Sequence, residues 1–134
     1  MYALEVRDHI MIAHSLPGAF FGPAQKTHGA TFIVDVAFFR ETLDDHNVVV
    51  DIGRASEALA AVLKPINYAN LDEAAAFKGK LTTTEFLCRY IFDGMLTAIK
   101  AGTLGSGSEG LARLKVTLHE SHVARAWFEG PVTP

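Results

Sequence analysis

The sequence is poor in the features that mark several classes of protein. Cys88 is its single cysteine, so an internal disulfide is excluded and a reducing compartment fits. No apolar run reaches the ~18 residues of a membrane-spanning helix, and residues 1–8 carry charges where a secretory signal is apolar. Lys and Arg number 12 against 15 Asp and Glu, with no basic stripe to follow a phosphate backbone. We therefore expect a cytoplasmic protein without nucleic-acid or membrane partners.

The chain does contain ample apolar material for one core. Of its 134 residues, 49% are hydrophobic, so we expect residues 1–134 to form a single domain. Even positions from Leu4 to His14 are mostly apolar, and the same alternation returns in residues 28–39 after a Pro- and Gly-rich connection. The alternation predicts two long strands that form an antiparallel pair.

Helical spacing follows these two segments. Apolar residues recur with a helical period over residues 52–63, and Pro65 ends this first helix. Thr82 and Glu85 have the spacing of a capping box, so they predict the start of a second helix, which Gly102 ends.

Two further alternating segments, residues 114–120 and 124–128, predict two more strands after a glycine-rich loop. The order of elements is then ββααββ. We expect an α+β domain in which two helices cover one face of an antiparallel four-stranded sheet.

Two histidines lie in phase with the inward-facing positions of the first two strands. His14 ends one strand and His28 begins the next, and a hairpin can bring such positions opposite each other. Neutral imidazole is a good zinc ligand, although zinc needs about three protein ligands in a catalytic site. His46 or His122 could supply a third ligand. The alternative is that each histidine is a core-edge residue bonded to a carbonyl.

A carboxylate and two threonines are candidates for binding a heterocycle. Glu120 continues an apolar strand face, and its carboxylate could accept two parallel hydrogen bonds from the N–H edge of a pterin or guanine ring. The alternative is a carboxylate in water, or one paired with Arg113 or Arg125. Thr83 and Thr84 lie at a helix start, where hydroxyls and free N–H groups can bind a ring carbonyl, or where the hydroxyls act only as caps.

Taken in order, six segments resemble the 6-pyruvoyl-tetrahydropterin synthase and 6-carboxytetrahydropterin synthase family of the tunnelling fold. The segments are residues 13–16, 28–32, 50–53, 66–72, 83–85, and 116–121 with 126–128. The resemblance implies a ββααββ subunit whose hairpins form an oligomeric barrel, a trimer or a hexamer, with active sites between subunits.

The resemblance also implies roles for residues. Glu120 would anchor the pterin ring with help from Thr83 and Thr84. His14 and His28 would be two of three zinc ligands, and the zinc would polarise side-chain oxygens of a dihydroneopterin-type substrate.

The chain departs from the family pattern at the reacting groups. Family members usually read His-Gly-His where this chain has His28, Gly29 and Ala30, so the third ligand is missing from its usual place. Ala24 stands where the family has its catalytic cysteine. Tyr68, with the preceding asparagine, replaces an Asp-His pair, and it is the candidate for proton transfer.

Two functions are consistent with this pattern. One is a divergent lyase that acts on a reduced pterin, dihydroneopterin or its triphosphate, with zinc if His46, His122 or a neighbouring subunit completes the site; aldolase-type cleavage is a variant. The other is a non-catalytic oligomer that binds a pterin or a purine-like heterocycle.

Overall fold

A long hairpin organises the fold. The structure, a computed structural model, describes residues 1–133. Strands β1 (Tyr2–His14) and β2 (His28–Arg40) pair antiparallel along their whole length, so that Tyr2 lies opposite Arg40 and His14 lies opposite His28. With 13 residues in each strand, the hairpin is about 40 Å long at ~3.3 Å per residue. Its two ends are therefore separate places on the molecule.

The remaining strands extend the sheet on both sides of the hairpin. Strand β3 (Ala69–Asn70) runs parallel to β1, while β4 (Arg113–Ser121) and β5 (Ala124–Pro131) continue the antiparallel ladder, giving the order β3-β1-β2-β4-β5. The sheet therefore has five strands, one more than the four predicted, and the additional strand is the two-residue β3. Hydrogen bonds to Met11 anchor that segment, and a two-residue strand has no periodicity to detect in the sequence.

Two helices cover one face of the sheet. Helix α1 (Ile52–Leu63) is capped by Asp51, whose carboxylate accepts from the N–H of Arg54 at 2.9 Å. Helix α2 (Thr84–Lys100) runs beside it and ends before Gly102, which has the left-handed φ of 79° typical of a helix end.

The predicted capping box at the start of α2 is wrong by one residue. The N-cap is Thr83, whose Oγ1 accepts from the N–H of Phe86 at 3.1 Å. Glu85 therefore lies at the second helical position, too early to complete a box. This shift leaves the hydroxyl of Thr82 free for a contact outside the helix.

The core lies between the sheet and the two helices. Its fully buried side chains come from the alternating positions of the strands and from one stripe of each helix, and the largest include Ile10, Phe32, Phe38, Leu59, Ile91, Met95 and Leu114. Within residues 1–133, no helix has the length and apolar character needed to cross a bilayer.

Candidate functional site

Two imidazoles meet at the end of the long hairpin. His14 and His28 are cross-strand partners, and their ring centroids lie 4.6 Å apart at an interplanar angle of 63°. His14 is 3% exposed, while His28 is half-buried. The predicted juxtaposition of these two side chains is therefore present in the fold.

Each imidazole is held through its Nδ1 atom. His28 Nδ1 lies 2.8 Å from the carbonyl oxygen of Lys26, and His14 Nδ1 lies 3.0 Å from Oγ1 of Thr82. A carbonyl can only accept, so His28 carries its hydrogen on Nδ1 and, when neutral, has a lone pair on Nε2. Thr82 is a site residue that the sequence analysis assigned to helix capping alone.

Burial keeps the first of these imidazoles neutral. The pKa of His14 is lowered, first by burial and then by the neighbouring His28, while the bond to Thr82 and the charges of Asp72 and Glu120 oppose this shift. The two carboxylates therefore lie within electrostatic range of the pair. Four titratable groups gather at this end of the sheet.

Asp72 links the short strand region to the end of β1. Its carboxylate accepts from Ser15 twice, from Oγ at 2.6 Å and from the backbone N–H at 3.1 Å. These bonds, followed by the two imidazoles, lower the pKa of Asp72. The residue after His14 is thereby fixed by an ionised side chain 57 positions away in sequence.

The predicted heterocycle-binding residues surround the same end. Glu120 is exposed, next to an irregularity in the β4–β5 register between His119 and Ser121. Arg113, one of its possible partners, is instead paired with Glu129 at 3.2 Å. At the start of α2, the oxygen of Thr83 serves as the cap, and Thr84 is the first helical residue.

The described part of the chain brings only two imidazoles together at this end of the sheet. Within residues 1–133, no three His, Cys, Asp or Glu side chains come together in a metal-binding arrangement. His46 lies in the loop beyond β2, about 40 Å along the hairpin from His28, and His122 lies in the turn between β4 and β5. A donor set of two imidazoles is short of the three that zinc needs and does not fit the ion. His46 and His122 as third ligands stay a prediction.

The proposed proton-transfer residue projects outward. Tyr68 is 77% exposed and has a left-handed φ of 59°, held by its N–H bond to the carbonyl of Met11 at 2.7 Å. It borders a groove with Asp8 and Lys64, on the outer side of β1. Its phenol is thus presented to solvent or to a neighbouring molecule.

The opposite face of the sheet carries an ion network that the sequence analysis missed. Asp35, 4% exposed, accepts from Arg7 at 2.7 and 2.9 Å and from His119 Nε2 at 2.8 Å. The pKa of Asp35 is lowered, chiefly by its bond to Arg7. The bond to Asp35 holds His119 in a half-buried position.

A partly open pocket lies at the far end of the hairpin. A cavity of about 540 Å³ opens there, lined by residues that include Leu4, Asp51, Arg54, Gly105 and Ser108. None of the residues of the imidazole end lines it. This cavity and the imidazole pair are therefore separate places on the molecule.

A sheet covered on one face by two helices, with a histidine pair at the end of its long hairpin, defines a subunit of the tunnelling fold. A sequence profile described as 6-pyruvoyl tetrahydropterin synthase matches residues 3–131. The chain belongs to the 6-pyruvoyl tetrahydropterin synthase family, which confirms the resemblance and relates it to enzymes of pterin metabolism.

Solved structures of this family share the fold across nearly the whole chain. The Caenorhabditis elegans 6-pyruvoyl tetrahydropterin synthase is 22% identical, with a TM-score of 0.79 over 96% of this chain and 95% of that one. A catalytic-residue mutant of the Plasmodium vivax enzyme is 16% identical, with a TM-score of 0.77 over 97% and 98%. The Plasmodium falciparum enzyme is 14% identical, with a TM-score of 0.73 over 96% and 98%. Curated proteins give no significant match.

Proposed function

We propose that this protein binds a reduced pterin, dihydroneopterin or its triphosphate, at the imidazole end of the sheet and catalyses a lyase-type step on the side chain of that pterin. One observation carries the proposal: His14 and His28 are cross-strand partners with ring centroids 4.6 Å apart, and the charge of Glu120 acts on His14 from the same end of the sheet. A ring-binding carboxylate and proton-accepting groups are thereby within reach of one small molecule.

Glu120 would select the ring. Its carboxylate is exposed, and Arg113 pairs with Glu129 instead. Glu120 can therefore accept two parallel hydrogen bonds from the amino and ring N–H groups of a pterin. The ring carbonyl can bind at the first turn of α2, where backbone N–H groups lack helical partners and Thr84 adds a hydroxyl. Thr83 supports this turn as its cap.

The imidazoles would handle protons on the pterin side chain. The Nε2 lone pair of His28 can accept a proton from a hydroxyl group or from a carbon beside a carbonyl. His14, whose pKa is lowered by burial, would assist as the second imidazole. The proposed reaction does not use a cysteine thiolate. Ala24 stands where the family has its catalytic cysteine, and burial raises the pKa of Cys88 to about 11.

The site would be completed by self-association. Tyr68 is exposed on its own chain. A trimer or hexamer that closes the sheet edges would bring the phenol of one copy to the site of the next. Tyr68 would then exchange a proton with the substrate across the interface.

Ligand titration tests the ring-binding role. We expect 7,8-dihydroneopterin to bind the wild-type oligomer, and Glu120→Gln to weaken binding by about 30-fold, the equivalent of ~2 kcal/mol for a hydrogen bond to a charged group. Glu109→Gln is the matched control, because Glu109 is an exposed carboxylate at the other end of the chain's sheet. Equal affinity of Glu120→Gln and wild type would remove Glu120 from the site.

A non-catalytic pterin-binding protein is the second candidate. The chain lacks the family's cysteine, its Asp-His pair and one histidine, at Ala24, Asn67 with Tyr68, and Ala30. These changes favour loss of turnover with retention of the ring pocket. Chromatography of dihydroneopterin and its triphosphate after incubation separates the two functions, since a binding protein returns both compounds unchanged.

A further inference from the structure

Position 30 lies directly beside the imidazole pair. Ala30 is two residues from His28 on the same face of β2, and it is paired with Ile12, which is two residues before His14 on β1. Side chains diagonal to each other across an antiparallel pair are about 7–8 Å apart, within reach of a long side chain. Ala30 is half-buried against the core on this face. A longer side chain at position 30 would therefore reach both imidazoles.

The centroid separation of the existing pair is compatible with two ligands of one ion. Two imidazoles bound tetrahedrally at about 2.0–2.1 Å from zinc have ring centroids roughly 5 Å apart, and the observed separation is 4.6 Å. Both rings are also fixed from behind through Nδ1, as metal-bound histidines are. What is missing is a third donor.

We propose that residue 30 alone determines whether this end of the sheet is a metal centre. With Ala30, the two imidazoles do not retain zinc. A donor at position 30 completes a three-ligand site with an open fourth position. The proposal concerns metal affinity and holds whether or not the ligand is a pterin.

Zinc titration of metal-free protein tests the proposal. We expect Ala30→His to bind one zinc ion per subunit at least about 100-fold more tightly than wild type, measured by competition with a chelating dye, because each added ligand contributes a large share of the binding free energy. Thr31→His is the matched control. It adds the same imidazole one residue later, on the opposite face of β2, and should leave zinc affinity unchanged.

Two further variants make every outcome decisive. His28→Ala in the Ala30→His background should abolish the gain, and Ala30→Cys offers a smaller donor if the imidazole prevents folding. Tight zinc binding by wild-type protein that His28→Ala removes would overturn the proposal, because another group would then complete the site. Failure of both Ala30→His and Ala30→Cys, folded by circular dichroism, to bind zinc more tightly than wild type would overturn it as well.

Discussion

The ion network on the open face of the sheet makes a quantitative prediction about stability. Asp35 is almost fully buried and joins Arg7 and His119 through three hydrogen bonds. A hydrogen bond to a charged group contributes about 1.5–3 kcal/mol. Because 61% of the Arg7 side chain is exposed, water can hydrogen-bond Arg7 after the mutation and offset part of the lost stabilisation. We therefore expect Asp35→Asn to lower the free energy of unfolding by about 2 kcal/mol.

Urea denaturation at fixed protein concentration measures this loss. Glu129→Gln is a matched control on the same face, since Glu129 pairs with Arg113 at 3.2 Å but both side chains are 40% exposed. An exposed pair of this kind contributes less than about 1 kcal/mol. Asp35→Asn should thus lower the free energy of unfolding at least twice as much as Glu129→Gln does.

The pH dependence follows from the direction of the pKa shift. The pKa of Asp35 in the folded protein is below its usual 3.8, so the ionised carboxylate stabilises the fold at pH values above 3.8. This contribution is lost as the pH falls through the folded-state pKa. The difference in unfolding free energy between wild type and Asp35→Asn should have its full value at pH 7 and decrease only below pH 4. Two results would refute the stabilising role of the Asp35 carboxylate. One is an equal loss of unfolding free energy in Asp35→Asn and Glu129→Gln; the other is a difference between wild type and Asp35→Asn that disappears between pH 7 and 5.

Three further predictions concern single side chains. Cys88 should resist thiol reagents at pH 8 in the native protein and react only after denaturation, because burial raises its pKa to about 11; rapid native labelling would contradict its placement. Gly94→Ala should destabilise the protein by about 1 kcal/mol in thermal or urea unfolding, since a Cβ would lie 2.7 Å from the stiff Val62 side chain and outweigh the gain in helix propensity; increased stability would refute this contact. Tyr68→Phe should lower turnover about 100-fold without changing dihydropterin affinity; unchanged turnover would remove Tyr68 from catalysis.

The long strands and the helices can be predicted from local sequence, because their periodic spacing of apolar residues continues over many positions. Alternation persists through both strands of the hairpin, and it places His14 and His28 on the covered face before any pairing is known. The helical period of residues 52–63 has the same bounds as α1. Where adjacent residues have the same chemistry, as in the run Thr82–Thr84, the sequence does not tell which hydroxyl caps the helix and which contacts His14.

The contacts that shape the site are not local. The bond between His14 and Thr82 joins residues 68 apart, and that between Asp35 and His119 joins residues 84 apart. Such pairs depend on the packing of α2 and β4 against the hairpin, which no single-sequence period specifies. The placement of Ala30 on the same strand face as His28, by contrast, could be predicted from sequence, because positions two residues apart share a face of a strand.

A crystal structure of the protein with bound 7,8-dihydroneopterin would be the most decisive experiment on the proposed site. We expect the amino and ring N–H groups of the pterin to lie about 2.8–3.0 Å from the Glu120 carboxylate, with the pterin side chain against His14 and His28. A ligand bound instead in the cavity beside Arg54 and Gly105, with the imidazole end untouched, would contradict it.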